Sequence, residues 1–319
     1  MDDNQFIIRS IFFPYVDEKT KEALETQSRF VYYTTAETAF RILGNQEIWM
    51  RNTGTMNDFL EIEHGFACLN EAYKSESGKL FKDTLNSIFP DITTRVEKQF
   101  NDWLPSIREE TFVTCFSEHL SSEDTHGRLS MWRAYGGRSG VAVVINGDAM
   151  FLDNENIGVF GSPVAYFNQK QVEDEFRRIS ERIKLNEEFI KTLETELIER
   201  VILMQFVFAA LCTKHPGFAE EREWRVVAMP YMYDSPLLTP ALEIVNGVPQ
   251  ILQKLKLKTY PEMNLNIEPK QLLDRIIIGP CEYPIVIYRA LKQALTDNGV
   301  EHPENKIFIS DIPLRTNVQ

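Results

Sequence analysis

A single α+β domain covering residues 1–319 is the fold class this sequence predicts, with peripheral helices, an N-terminal extension over 1–29 and a long helical insertion over 169–213. Three observations predict it. Strand-like and helical runs interleave without a regular β-α rhythm, which argues for α+β. Gln169 to about Cys212 reads as helix throughout and is rich in Glu, Lys and Arg. No internal repeat or low-complexity linker divides the chain.

The elements follow in order. An apolar patch, Phe6 to Phe13, precedes a charged helical stretch, Asp17 to Gln27. Phe30-Val31-Tyr32-Tyr33 is strand-like. Thr35 is placed to cap a helix from Ala36 to about Leu43, with Ala39, Ile42 and Leu43 at helical spacing and Gly44 positioned to end it. Ile48-Trp49-Met50 is a short strand before an Asn-Thr-Gly-Thr loop. Leu60 to Tyr73 and Lys79 to Trp103 read as helix, broken near Pro90. Thr111 to Ser117 is a strand, followed by a polar loop through Gly127. Met131 to Tyr135 is a helical turn that Gly136-Gly137 stops, and Gly140 to Ile145 is a buried strand that Val164-Ala165-Tyr166 extends as sheet. The region from Gln169 is polar nearly all round at first and strongly apolar at its end, which suggests a helical hairpin or a projecting helix. A proline-punctuated stretch (Pro230 to Pro261), the strand Arg275 to Gly279, a helix from Ile285 to Asn298 and a strand from Lys306 to Ser310 complete the chain.

Composition narrows the function classes. The hydrophobic fraction of 43% and charged fraction of 25% are those of a globular protein. A net charge of -13 argues against a broad nucleic-acid-binding surface. Cys68, Cys115, Cys212 and Cys281 lack C-x-x-C spacing and read as neither zinc site nor disulfide framework. Cys115, inside a strand, reads as a small apolar residue. The acidic start Met1-Asp2-Asp3-Asn4 does not resemble a signal peptide, and no apolar run approaches the roughly 20 residues of a membrane span. A cytoplasmic protein is expected. Gly136-Gly137-Arg138-Ser139-Gly140 precedes a strand and so is a poor phosphate loop. The five histidines are scattered and form no metal motif.

The most informative stretch is Glu220-Glu221-Arg222-Glu223-Trp224-Arg225-Val226-Val227-Ala228-Met229. Trp224, Val226 and Val227 favour a strand, and on a strand Glu221 and Glu223 share a face. Paired carboxylates at a sheet rim are costly unless a cation meets them. That cation is either an arginine of the same chain, giving a salt-bridged strand end, or a charged ligand.

Set in order, several motifs resemble an uncharacterised bacterial family, DUF2971. They are Tyr32-Tyr33-Thr34-Thr35, Ile42-Leu43, Ile48-Trp49-Met50, Asn57-Asp58-x-x-Glu61, Cys115-Phe116-Ser117-Glu118, Met131-Trp132-x-x-Tyr135-Gly136, Gly140-Val141, Glu221-x-Glu223-Trp224-Arg225 and Ile277-Ile278-Gly279-Pro280. The resemblance runs from about Phe30 to Leu314, with the helical region near 169–212 as an elaboration. More distantly, the order of Tyr32-x-Thr34, helix and Ile42-Leu43 is similar to the opening of DNA-targeting ADP-ribosyltransferase toxins and of tRNA 2′-phosphotransferases.

That second resemblance implies a split β-sandwich core and NAD as substrate. Glu223 then stands where those toxins carry a catalytic glutamate at the head of an apolar strand, and Glu221-x-Glu223 fits the Glu-x-Glu of other members. Cleaving the glycosidic bond of NAD develops positive charge on the ribose, which a carboxylate stabilises. By the same resemblance Tyr32 and Thr34 hold the nicotinamide ribose, Trp132 or Tyr135 lines the pocket, and Arg51 meets a dinucleotide phosphate. A toxin or antiphage defence role follows, with an acceptor, protein or nucleic acid, that the sequence does not name. One departure stands out: Tyr32 replaces the family's histidine, although a phenol still donates to a ribose oxygen.

Each motif also has a plain structural account. Tyr32 and Tyr33 fit one core and one surface aromatic of a strand, and Thr34-Thr35 fit helix capping. Asn57-Asp58 with Glu61 fit a capping box. Trp132 and Tyr135 fit core packing, Arg51 a surface charge, and Arg225 an ion pair with Asp58 or Glu61. The competing function is therefore a non-enzymatic module with a structural Glu/Arg network, its insertion at 169–213 recruiting a partner.

Overall fold

The computed structural model of the chain describes residues 3–55, 59–151, 157–245 and 247–313. The elements begin with α1 (Asp3–Phe12), α2 (Pro14–Glu25), β1 (Arg29–Thr35) and α3 (Ala36–Asn45). Thr35 caps α3 by accepting from the Thr38 backbone N–H at 3.2 Å. Gly44 does not end this helix. Gln46 does, in the left-handed region at φ 49°, while Gly44 stays helical. Next come β2 (Glu47–Asn52), α4 (Phe59–Lys74), α5 (Glu76–Ile88) and α6 (Ile92–Glu109). The break near Pro90 lies between α5 and α6, where Asp91 adopts φ 59°. Then follow β3 (Phe112–His119), α7 (Leu129–Tyr135), β4 (Gly140–Ile145), β5 (Val159–Pro163) and β6 (Ala165–Tyr166).

The helical region resolves into α8 (Gln169–Leu185), α9 (Glu187–Ile190) and α10 (Thr195–Leu211). The remainder is β7 (Thr213–Lys214), β8 (Glu223–Ala228), β9 (Leu238–Val245), β10 (Val248–Lys256), β11 (Thr259–Tyr260), β12 (Leu265–Asn266), α11 (Pro269–Leu272), β13 (Leu273–Ile278), α12 (Pro284–Asp297) and β14 (Ile307–Ile309). The proline-punctuated stretch thus contains a β9–β10 ribbon. Pro240 is tolerated because β9 ends the sheet, and Pro249 because it precedes the stretch of β10, Leu252–Lys256, that pairs with β2.

The chain divides into two compact units. The first comprises Met1–Glu22, Asn52–Thr111 and Ser162–Glu220, and the second Ala23–Arg51, Phe112–Gly161 and Glu221–Gln319. The first is mainly helical. In it α8 packs on α5 and α4, and α10 on α4 and α6. The apparently all-polar α8 carries a buried stripe, Val172, Phe176, Ile179 and Ile183, at spacings of three and four. Residues 169–212 are therefore a hairpin whose arms both contribute to the core of this unit. Gly65 permits the closest approach of α4 to α10, since a Cβ there would lie 2.1 Å from the Ala210 carbonyl oxygen. β6 does not extend the large sheet as expected; it pairs with β7 in a separate parallel ladder.

The second unit holds an open mixed sheet of order β14-β13-β4-β1-β3-β2-β10-β9, with β8 also on β3 and β5 on β8. β13 and β14 run parallel, whereas β4, β1, β3 and β8 are antiparallel neighbours. Period-two alternation sorts the side chains. Phe30, Ile145, Phe116 and Trp224 enter one cluster, whereas Val31, Tyr33, Ala142 and Val144 join Met131 and Trp132 of α7 on the other face. β1 bonds β4 from Phe30 to Thr35 but β3 only from Arg29 to Val31.

Candidate functional site

Glu221, Glu223, Tyr32, Thr34, Arg51, Trp132 and Tyr135 all lie in the second unit. Glu223 is the first residue of β8, opposite Ser117 of β3, and Arg225 is opposite Cys115. Both charged residues face the same side. Trp224 points the other way, with its ring centroid 5.2 Å from that of Phe30. Arg225 Nε meets Glu223 Oε1 at 2.6 Å, and the two side chains are 4% and 7% exposed. A desolvated guanidinium thus fixes a desolvated carboxylate at a strand head, in a short charge-assisted hydrogen bond.

Glu221 is not on the strand. Arg222 takes φ 46°, so Glu221 ends the preceding 3-10 turn and period-two facing does not reach it. Its carboxylate Oε1 accepts from the Tyr135 hydroxyl at a long 3.4 Å, which brings the end of α7 to the mouth of β8. Trp132, also on α7, is 3% exposed and donates from Nε1 to the His126 carbonyl at 2.8 Å. Gly127, Gly140 and Gly279 lie against its ring, and a Cβ at Gly279 would come within 2.8 Å of it. Its indole is enclosed by backbone.

Tyr32 is half-buried with its ring 5.6 Å from Phe116, on the Trp224 side of the sheet rather than the Glu223 side. Burial, aided by Cys115 and opposed by Arg51, holds its phenol above the ordinary value, so the hydroxyl stays a donor. Thr34 is buried opposite Val141 on the same side as Tyr32. Arg51, on β2 opposite Leu252, makes a long 3.4 Å contact from Nε to Gln250 Oε1. Asn57, Asp58 and the side chain of Glu61, named as partners for Arg225 or as a cap, lie outside the described residues.

The phenol on the Glu223 side is that of Tyr33. Its hydroxyl accepts from the Arg128 backbone N–H at 2.8 Å, its ring stands edge-on to Trp132 at 4.9 Å, and burial together with Glu123 pushes its pKa up to about 12. Arg128 belongs to a network built within the polar loop that follows β3. Arg128 donates to Glu123 from Nε at 2.9 Å and to the Glu118 and Glu221 carbonyls from its terminal nitrogens. Arg222 pairs with the same carboxylate. Burial alone would raise the Glu123 carboxyl, yet the two guanidiniums outweigh it and hold it below the usual range. Alongside, Arg29 and Arg275 bridge Asp124 and Asp274. His119, its side chain fully buried, contacts Asp124 from Nε2 at 3.0 Å, and burial lowers its pKa. The available signal was the closeness of Glu118, Glu123 and Asp124 to Arg128 within one short segment. Among the described residues no three His, Cys, Asp or Glu are grouped to hold a metal ion, and no helix is long and apolar enough to cross a membrane.

Residues 131–226, from α7 through most of β8, match the profile of a family described as "Protein of unknown function (DUF2971)". The match supports that likeness over a segment containing Trp132, Tyr135, Glu221 and Glu223. No curated protein and no solved structure matches the chain.

Proposed function

We propose that the second unit carries an NAD-using ADP-ribosyl transfer site, in a toxin or antiphage effector, with Glu223 as the catalytic carboxylate. The observation that supports this is the register. Val31, Ser117 and Glu223 are consecutive cross-strand neighbours, so the backbones of Tyr32 and Glu223 stand roughly 10 Å apart, two strand spacings. One small-molecule pocket spans such a distance. Beyond Val31 the pairing of β1 with β3 stops, and substrate would bind across that opening, because Tyr32 and Thr34 face away from Glu223. The strands on the two sides of β3 are, on this reading, the two sheets of a split sandwich.

In the reaction, the bond between nicotinamide nitrogen and ribose C1′ breaks and its electron pair leaves with nicotinamide. The cationic ribose faces the Glu223 carboxylate, and an acceptor heteroatom forms the new bond and gives up its proton. Water as acceptor gives plain NAD hydrolysis. Arg225 positions Glu223, and Glu221, tied to Tyr135, orients the acceptor.

A second reading is a non-enzymatic interaction module. The observation favouring it is that Glu123, Arg128, Arg222, Glu223 and Arg225 find partners within the chain, as structural ion pairs do. Incubation of the purified protein with labelled NAD and cell lysate separates the two. Freed nicotinamide or transferred label, reduced about 100-fold or more in Glu223→Gln, is expected. A wild-type protein that neither releases nicotinamide nor transfers label rules out the enzymatic reading.

A further inference from the structure

Within the first unit, α4 and α6 both rest on α10 and meet each other through side chains, Arg108 of α6 on Glu63 and Phe66 of α4. The result is a trough of about 350 Å³, near the lower end of the roughly 300–1,000 Å³ typical of small-molecule pockets. α4 turns Glu63, Phe66, Asn70 and Tyr73 toward it, and α6 turns Glu97, Phe100, Leu104 and Arg108, both at spacings of three and four. Helices with such stripes ordinarily pack them together. Here the stripes face a gap, with Phe206 of α10 as floor, 5.2 Å from the Tyr73 ring and 5.8 Å from the Phe100 ring.

The polar groups describe the occupant. At one end Arg108 lies 4.7 Å over the Phe66 ring and pairs with Glu63 at 2.8 Å. Its Nε is nevertheless a buried donor with no hydrogen-bond partner among the described residues. Burial, then Glu97, raises the Tyr73 pKa against a side-chain hydrogen bond to Thr93, so the phenol stays protonated in the wall. Buried polar atoms left unmatched are costly, and an incoming ligand removes that cost. Two carboxylates against one guanidinium disfavour an anion. Flat aromatic walls favour a flat aromatic guest.

We propose that this trough binds a planar heteroaromatic molecule, uncharged or cationic, that accepts a hydrogen bond from Arg108 Nε. The site is independent of the NAD reading, lying wholly within the first unit. The test is ligand-observed NMR on the full chain with adenine, caffeine, quinoxaline and 5-aminoindole as probes, and indole-3-carboxylate as the anionic control. At least one of the four is expected to bind with a Kd below about 1 mM, and the carboxylate about tenfold more weakly. Ala67 and Asn101 line the trough from exposed positions, so Ala67→Trp and Asn101→Trp fill it without entering the core. Each should weaken binding at least tenfold or so with unchanged far-UV circular dichroism. Absence of binding by all four probes, equal binding of the carboxylate, or binding untouched in both filled variants overturns the proposal.

Discussion

The polar groups around Tyr33 in the second unit and those of the trough in the first are treated in opposite ways. Around Tyr33, one carboxylate, Glu123, serves two guanidiniums, and Arg128 spends its remaining donors on two backbone carbonyls. In the trough, Arg108 pairs with one carboxylate and leaves Nε unused. Closed networks fix geometry, and removing one member strands the others. An open donor beside empty, aromatic-walled space holds nothing in place by itself and is available to a guest. The contrast says where charge maintains the fold and where it awaits a ligand.

The sharpest way to break this contrast is Arg128→Leu. It leaves a buried Glu123 with Arg222 alone and takes a donor from the Glu118 and Glu221 carbonyls, and should lower stability by about 3 kcal/mol in chemical denaturation. A loss near zero would mean the network is dispensable. Next comes acid. The folded Glu123 carboxyl sits below its unfolded value, so its contribution is present above the unfolded pKa of about 4.3 and is lost as pH falls through the folded pKa. Asp274, held low against its own burial by Arg275 and Arg29, acts in the same direction. Unfolding free energy followed against pH should fall below about pH 4, and less steeply in Glu123→Gln.

A smaller effect is expected from Tyr33→Phe, which removes one acceptor from the Arg128 amide and should cost about 1 kcal/mol by denaturant titration. The smallest belongs to the other region. Arg108→Leu, at a side chain 39% exposed, should shift stability by no more than about 0.5 kcal/mol. The same substitution should abolish heteroaromatic probe binding. If instead it destabilises as strongly as Arg128→Leu, the two regions do not differ in kind.

Local signals carried much of the fold. Thr35 was legible as a cap because a hydroxyl before a helical run satisfies a nearby amide whatever the rest of the chain does. Val141 to Ile145 was legible as a buried strand from its unbroken apolar run. Gly44 misled, because a glycine permits a left-handed stop without requiring one, and Gln46 made the turn instead. The β9–β10 ribbon was masked by its prolines, although Asn246-Gly247 between two extended runs is a hairpin signature. In the site, Glu223 was legible as the head of a strand, but the shared face expected for Glu221 and Glu223 fails, because a single positive φ at Arg222 cancels the alternation.

Sequence alone determined what depends on near neighbours: the α+β mixture, the strand bearing Glu223-x-Arg225, the helical character of 169–212 and the acidic balance. Tertiary structure decided what depends on distant chain segments meeting. It gave Tyr33 rather than Tyr32 to the Glu223 face, enclosed Trp132 between Gly127, Gly140 and Gly279, and drew Glu123, Arg128 and Arg222 into one network. It also separated α4 from α6 over Phe206. Periodicity fixes which way a side chain points from its own strand or helix. What it meets there is set by the partner element, whose register no local pattern encodes.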